Sequence, residues 1–498
     1  MTFQRVLSLT VTFIETLLYT GLLYGWSSLQ PVLVQEGFFN GSDCENNETE
    51  YFTYYRLSSE KAVNTDQISQ LEVVFTIAST IAPICNLSTG YMLDRLGGWF
   101  TRTYCLTAMA TGLILCSVAT PETSNLLFVS FSLISYAGLG LNTVNVQVAN
   151  FLPKYKSSLC TIISGLYDSS TLVFLVFNKL YKNGSSYNGM FLVYAFLSIP
   201  FHFYTFLLTP KRPPPEKVPD NYSYGYHELP CIKQTIEETV NQSYKRFGSK
   251  KEDVVDISFK ECLKLPYTWT NILHSCVLQL SMAFFIGNFN FWLSSSFPNT
   301  SSDQIEKYTT IFGTVQCCGV FFAPVSGILM DFLRQKYTKV IPMRLAALKS
   351  AAVSILLSSV LTILMFVFSL VPIFEFQIVT FIMQALARSI ICGTLSAFLN
   401  IVYPNKHYGK MYGIHVFVCG LFLLLQYPLT LAVTNLLNNS FTVVNAVLLV
   451  LCVTTLAHPF YILYYVKQSI KLENSLLRSK IKHKNSSNHD VDVKESNC

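Results

Sequence analysis

Charge is scarce in this sequence: Asp, Glu, Lys and Arg supply only 13% of 498 residues, against about 25% in soluble domains. With 51% hydrophobic residues and a mean hydropathy of +0.39, that scarcity excludes a water-soluble globule. Also missing are a Gly-rich P-loop, a Gly-x-Ser-x-Gly elbow, a His-Glu-x-x-His helix and any Cys-x-x-Cys pair. An ATP-driven pump or an intramembrane enzyme would therefore lack its working parts, and no metal site or cofactor is expected. The 14 cysteines do not form a disulfide framework. Most fall inside apolar runs, where Cys behaves as a small hydrophobe, and only Cys44 falls in an expected outside loop. No small-residue cleavage site follows the first apolar run, which reads as a span rather than a removed signal peptide.

What the chain has in abundance is apolar runs of about 20 residues, the length that crosses the hydrocarbon core. Twelve are expected, at 6–28, 70–92, 103–120, 125–151, 158–181, 189–209, 268–292, 309–330, 347–371, 376–402, 411–436 and 442–465. The fold class is thus an all-α membrane protein of twelve transmembrane helices in two six-helix halves. Residues 1–209 form the first half, 210–266 a cytosolic linker, 267–466 the second half and 467–498 a cytosolic tail. The 14% aromatic content suits lipid-facing surfaces and interfacial belts.

Lys and Arg cluster in alternate short loops, at Arg95 and Arg102, Lys154 and Lys156, Arg334 to Lys349, and Lys406 and Lys410. That alternation places both termini and the linker in the cytosol and reads the net charge of +6 as a topology signal, not as a nucleic-acid surface. The lipid bilayer is the expected partner, with a small-molecule substrate and a monomeric state. Glycosylation triplets at Asn40, Asn47, Asn183, Asn299 and Asn438 all land outside on this topology.

Two patterns recur between the halves. Gly90-Tyr-Met-Leu-Asp94-Arg95-Leu-Gly97 ends the second span, and Gly327-Ile-Leu-Met-Asp331-Phe-Leu-Arg334 ends the eighth. Phe151-Leu-Pro153 follows the fourth span as Val402-Tyr-Pro404 follows the tenth. Six spans repeated in parallel is a secondary-transporter plan, with the substrate path between the halves. Gly90 and Gly327 would let helices approach closely, while Asp94 and Asp331 would sit at the start of a neighbouring helix or pair with a base, latching one state of a cytosolic gate with Arg95 and Arg334.

Charges inside spans are costly and mark functional candidates. Glu15, Asp168 and Arg388 qualify, whereas Glu72 lies near a span end and reads as hydrated. Asp168 begins a polar patch with Ser169 and Ser170, and Arg388 shares a helix face with Gln384. Either Asp168 or Glu15 paired with Arg388 would hold the halves together; direct ligand contact is the other reading. The amides Asn142, Asn145 and Gln147 in span four, with Asn150, fall on two stripes, one for the cavity and one for a partner helix. Gln279, Asn288, Gln316 and Asn400 are further pore candidates. Carboxamides beside aromatic walls suit a planar heterocycle, since they pair a donor with an acceptor while a ring stacks.

The Gly-x-x-x-Asp-Arg-x-Gly junction resembles the signature between spans two and three of the major facilitator superfamily, although Gly98 stands where that superfamily has a basic residue. More broadly, the stretch from Asp168 to Leu175, the linker's Asp220 to Gly225, the loop Gly327 to Tyr337, and the run from Arg388 to Lys410 resemble solute carrier family 43. That family holds facilitators of large neutral amino acids and an equilibrative carrier of purine nucleobases, and the Asp-Ser-Ser and Asn-Tyr-Ser-Tyr-Gly segments are more similar to the latter. The resemblance implies sodium-independent facilitated diffusion at the plasma membrane, with adenine, guanine and hypoxanthine as cargo. It supplies no residue-level site. Its rivals are an amino-acid uniporter and a non-transporting receptor or scaffold.

Overall fold

The computed structural model describes residues 3–40, 65–209 and 258–473 apart from Asn299 and Asn439, together with Ser475. Among these residues there is no strand. Their helices form twelve rods. The first half contains α1 (Phe3–Tyr19 and Trp26–Glu36), α2 (Thr65–Leu96), α3 (Gly98–Val118), α4 (Leu126–Asn145, tightening to a 3₁₀ turn at Val146–Phe151), α5 (Lys156–Ser169 and Leu172–Lys182) and α6 (Tyr187–Phe196 and Ile199–Leu208). The second contains α7 (Pro266–Gly287 and Phe289–Ser296), α8 (Ser302–Cys317 and Gly319–Tyr337), α9 (Met343–Ser369), α10 (Gln377–Val402), α11 (Tyr408–Leu423 and Gln426–Asn435) and α12 (Thr442–Thr454 and its continuation to Glu473). A short helix, Phe259–Lys264, precedes α7 and starts with a capping box between Ser258 and Glu261.

Nine of these rods are long and apolar enough to cross a membrane, and α1 and α8, bent by 44° and 41°, raise the number to eleven. The remaining rod, α3, has 21 residues and would reach about 31 Å. Its apolar run is interrupted by Arg102 and by threonines at 101, 103, 107 and 111. All four threonines return their hydroxyls to a carbonyl four residues earlier, which removes the cost of a bare hydroxyl in hydrocarbon.

The buried apolar side chains divide unequally. One cluster joins both halves: Leu93, Phe151, Leu159 and Ile163 from the first meet Met330, Ile355, Phe398 and Tyr412 from the second. Toward the other end each half has its own cluster, built around Trp26, Phe131 and Phe191 in the first and around Phe285, Phe312 and Phe381 in the second. The halves therefore touch at the end bearing Asp94 and Asp331 and part at the opposite end. Asn40, Asn183 and Asn438 are exposed, and all three follow helix ends at the parted end; Asn47, Asn299 and the segment 210–257 lie outside the described residues.

Candidate functional site

The closed end is held by two copies of one device. The helix α11 begins at Tyr408 with no side-chain cap of its own, and its second and third residues, Gly409 and Lys410, donate their N–H groups to the Asp94 carboxylate at 2.8 Å each. In the other direction, α5 begins at Lys156, also uncapped. Ser157 and Ser158 donate N–H groups to Asp331 at 3.1 and 2.7 Å, and the Ser158 hydroxyl adds a third bond at 2.7 Å. Free N–H groups in the first turn of a helix need acceptors, and a carboxylate there also meets the positive end of the helix dipole. Each half thus supplies the N-terminal cap of a helix in the other half.

The glycine four residues before each carboxylate permits that approach. A methyl group on Gly90 would collide with the Gly409 carbonyl, and one on Gly327 would lie 2.7 Å from the Ser158 Cα. The basic residues differ. Arg334 is buried, donates to the Pro153 carbonyl at 2.6 Å and braces Asp331 at 3.2 Å. Arg95 is exposed and turns to the Tyr91 hydroxyl on its own helix. The two post-proline segments also meet, Lys156 Nζ donating to Asn405 at 3.0 Å.

Between this closed end and the parted end lies a cavity of about 910 Å³. It is walled by α1, α2 and α5 of the first half and by α7, α8, α10, α11 and α12 of the second, and it reaches the loops at Ser369–Pro372 and Asn438–Thr442. Among the described residues, nine of those lining it are aromatic and Arg388 alone is charged. That size is within the usual span for small-molecule sites, about 300–1,000 Å³.

Beneath the cavity the polar patch of α5 reaches three other helices, one residue to each. Asp168 faces α10, its Oδ1 lying 3.2 Å from Arg388 Nε and its Oδ2 accepting from the Ser389 hydroxyl at 3.3 Å. Ser169 bonds α8 at its bend, accepting from Val320 N–H and donating to the Cys317 carbonyl. Ser170 accepts from Gly21 N–H at the bend of α1, at 2.7 Å. The helices break where these hydroxyls replace their lost backbone partners. Above the pair, the Arg388 guanidinium lies 4.3 Å from the centre of the Tyr24 ring.

Of the residues singled out for the pore, Asn288, Gln316 and Arg388 line the cavity. Asn288 closes the bend of α7, donating to the Phe284 carbonyl and exchanging hydrogen bonds with Thr430 of α11. Gln384 lies behind the wall, facing Gln316, which lines it. Glu15 is elsewhere, buried in the first half, where it pairs with Arg102 and accepts from Asn145 at 3.2 Å; Asn145 also donates to Thr16 at 2.9 Å. Asn142 and Gln147 are buried away from the cavity, Gln147 accepting from Asn150 at 2.8 Å, and Gln279 is half-buried on α7. The side chain of Glu72 is outside the description.

Arg102 corrects the loop reading. It lies one turn inside α3, 1% exposed, between Glu15 and the face of Tyr204. A single Arg heading an otherwise uncharged run was the available signal. Tyr24 and Trp26 also line the cavity; uncharged within an apolar run, their one sequence mark is the pair of breakers Gly21 and Gly25, which flank Tyr24 and precede Trp26.

Comparison with known proteins adds to this geometry. The family model described as Major Facilitator Superfamily matches residues 62–348. The chain is 28% identical over 473 residues to the Equilibrative nucleobase transporter 1 of Bos taurus, covering 92% of this chain and 96% of that protein. It is 23% identical over 537 residues to the Large neutral amino acids transporter small subunit 3 of Homo sapiens, covering 91% and 92%. The Mus musculus protein of the same name is 22% identical over 528 residues, with the same coverage.

Proposed function

The chain belongs to the Major Facilitator Superfamily, membrane transporters rather than enzymes, and from that premise we propose that it carries purine nucleobases by facilitated diffusion. In this reading the halves rock about the cavity, the end latched by Asp94 and Asp331 faces the cytosol, and the parted end faces outward at the plasma membrane. A monomer suffices.

The observation that carries the choice of cargo is the state of Arg388. Among the described residues it is the one charged residue of the lining, and Asp168 already neutralises it. A zwitterionic amino acid would need a cation for its carboxylate and an anion for its ammonium; it would have to break this pair to obtain either. A neutral planar base needs only the remaining N–H groups and the aromatic wall. The 28% identity to a nucleobase transporter supports the same cargo.

Uptake of labelled adenine and of labelled leucine into cells expressing the chain separates the readings. Sodium-independent adenine uptake, displaced by hypoxanthine and indifferent to leucine, is the expected result. Leucine uptake without adenine uptake would instead establish the amino-acid reading, which the two amino-acid transporters above make the natural rival.

A further inference from the structure

Two facing carboxamides, Gln316 and Gln384, stand at the cavity wall. Gln316 stands one turn along α8 from Phe312, and both line the cavity. Phe312 is stacked on Phe289, with ring centres 3.8 Å apart and planes within 9°. Gln384 stands one turn before Arg388 on α10, fully buried, with its amide against that of Gln316. Here Gln316 Nε2 donates to Gln384 Oε1. Gln384 Nε2 is left buried with no partner among the described residues.

A carboxamide has a donor end and an acceptor end of nearly equal shape. Two facing amides can therefore make the same contact in two senses. In the sense present, Gln316 spends its NH₂ on Gln384 and leaves its carbonyl oxygen for the cavity. If both amides turn over, Gln384 donates, its stranded N–H finds an acceptor, and Gln316 offers its NH₂ to the cavity. Either sense leaves one end of the Gln384 amide without a partner, its NH₂ in the first and its carbonyl oxygen in the second, so neither sense is locked by a penalty that the other escapes.

We propose that Gln316 and Gln384 form a reversible reader that accepts a hydrogen bond from the exocyclic amine of a 6-aminopurine in one sense and donates one to the carbonyl of a 6-oxopurine in the other. The inference rests on the purine reading and explains how one site would serve both classes. Gln316 makes the contact; Gln384 sets its sense as a positioning residue.

Gln384→Glu tests it. A carboxylate only accepts, so it holds Gln316 in the sense that shows its carbonyl to the cavity. Initial uptake of labelled adenine and hypoxanthine is measured in the same cells, so that expression level cancels in the ratio. The adenine-to-hypoxanthine ratio should rise about tenfold over wild type, and Gln384→Met, which frees the Gln316 amide to turn, should keep both substrates near the wild-type ratio. If Gln384→Glu does not reach the membrane, Gln316→Glu presents an acceptor directly and should move the ratio the same way. Wild-type uptake of both bases with a ratio unmoved by these carboxylate variants overturns the reader alone. Wild-type uptake of neither base overturns the purine reading, and the reader with it.

Discussion

Asp168 on α5 and Arg388 on α10 face each other at 3.2 Å across the boundary between the halves, directly beneath the cavity. The pair has two consequences at once. It keeps the cavity floor without net charge, and it ties a first-half helix to a second-half helix at the level where ligand would rest. Replacing Asp168 by Asn should free the guanidinium. Base uptake should fall, and a purine bearing a carboxylate should inhibit the remaining transport about tenfold more strongly than it inhibits wild type, a change of about 1.4 kcal/mol. Equal inhibition of both proteins would remove the pair from the site.

The latches at the closed end should set the balance between open states. Losing an N-terminal cap costs about 0.5–2 kcal/mol. Asp94→Ala and Asp331→Ala should therefore each shift the population away from the outward-open state severalfold. Cys317, which lines the cavity, is a native reporter. Its labelling by a membrane-impermeant thiol reagent should slow in both variants and vanish in a Cys317→Ser control.

Gly409→Ala applies the same test sterically. The added methyl would meet the Gly90 carbonyl and would lie 2.6 Å from an Asp94 oxygen, so it should push the carboxylate off its helix. Overpacking of this kind costs about 1–3 kcal/mol. The same reagent should label Cys317 more slowly, with protein abundance little changed.

Glu15 and Arg102 call for a different outcome, because both are buried inside the first half and neither lines the cavity. Removing one member of a buried pair strands the other at a cost of about 3–5 kcal/mol. Glu15→Gln should lower the thermal midpoint of the detergent-solubilised protein, and adding Arg102→Met should restore much of the loss. A single variant of unchanged stability would contradict a structural role.

Much of this architecture was legible in the sequence because the membrane imposes it. Runs of about 20 apolar residues have few alternatives to helices. The repeated Gly-x-x-x-Asp and post-proline segments were also visible, but as separate marks. That Asp94 docks after Pro404, and Asp331 after Pro153, is a fact about how the halves pack, which no local pattern encodes. The polar residues were harder to sort, since helix rotation decides whether a side chain faces a cavity or a partner. Glu15 and Asp168 look alike in sequence, yet one takes Arg102 and the other Arg388. Arg102 was obscured by its position one turn beyond Gly97 and Gly98, where a loop residue and a first-turn residue read the same. The bends that put Tyr24 and Asn288 on the cavity wall fall inside continuous apolar runs, so periodicity passed over them.

The most direct test of the central claim, a carrier of neutral bases that alternates between two open states, is counterflow in liposomes containing the purified chain. With unlabelled adenine trapped inside, external labelled adenine should enter faster than into empty vesicles and overshoot transiently, and imposed sodium or pH gradients should not alter the final level. Uptake without trans-stimulation, or final accumulation driven by an ion gradient, would contradict it.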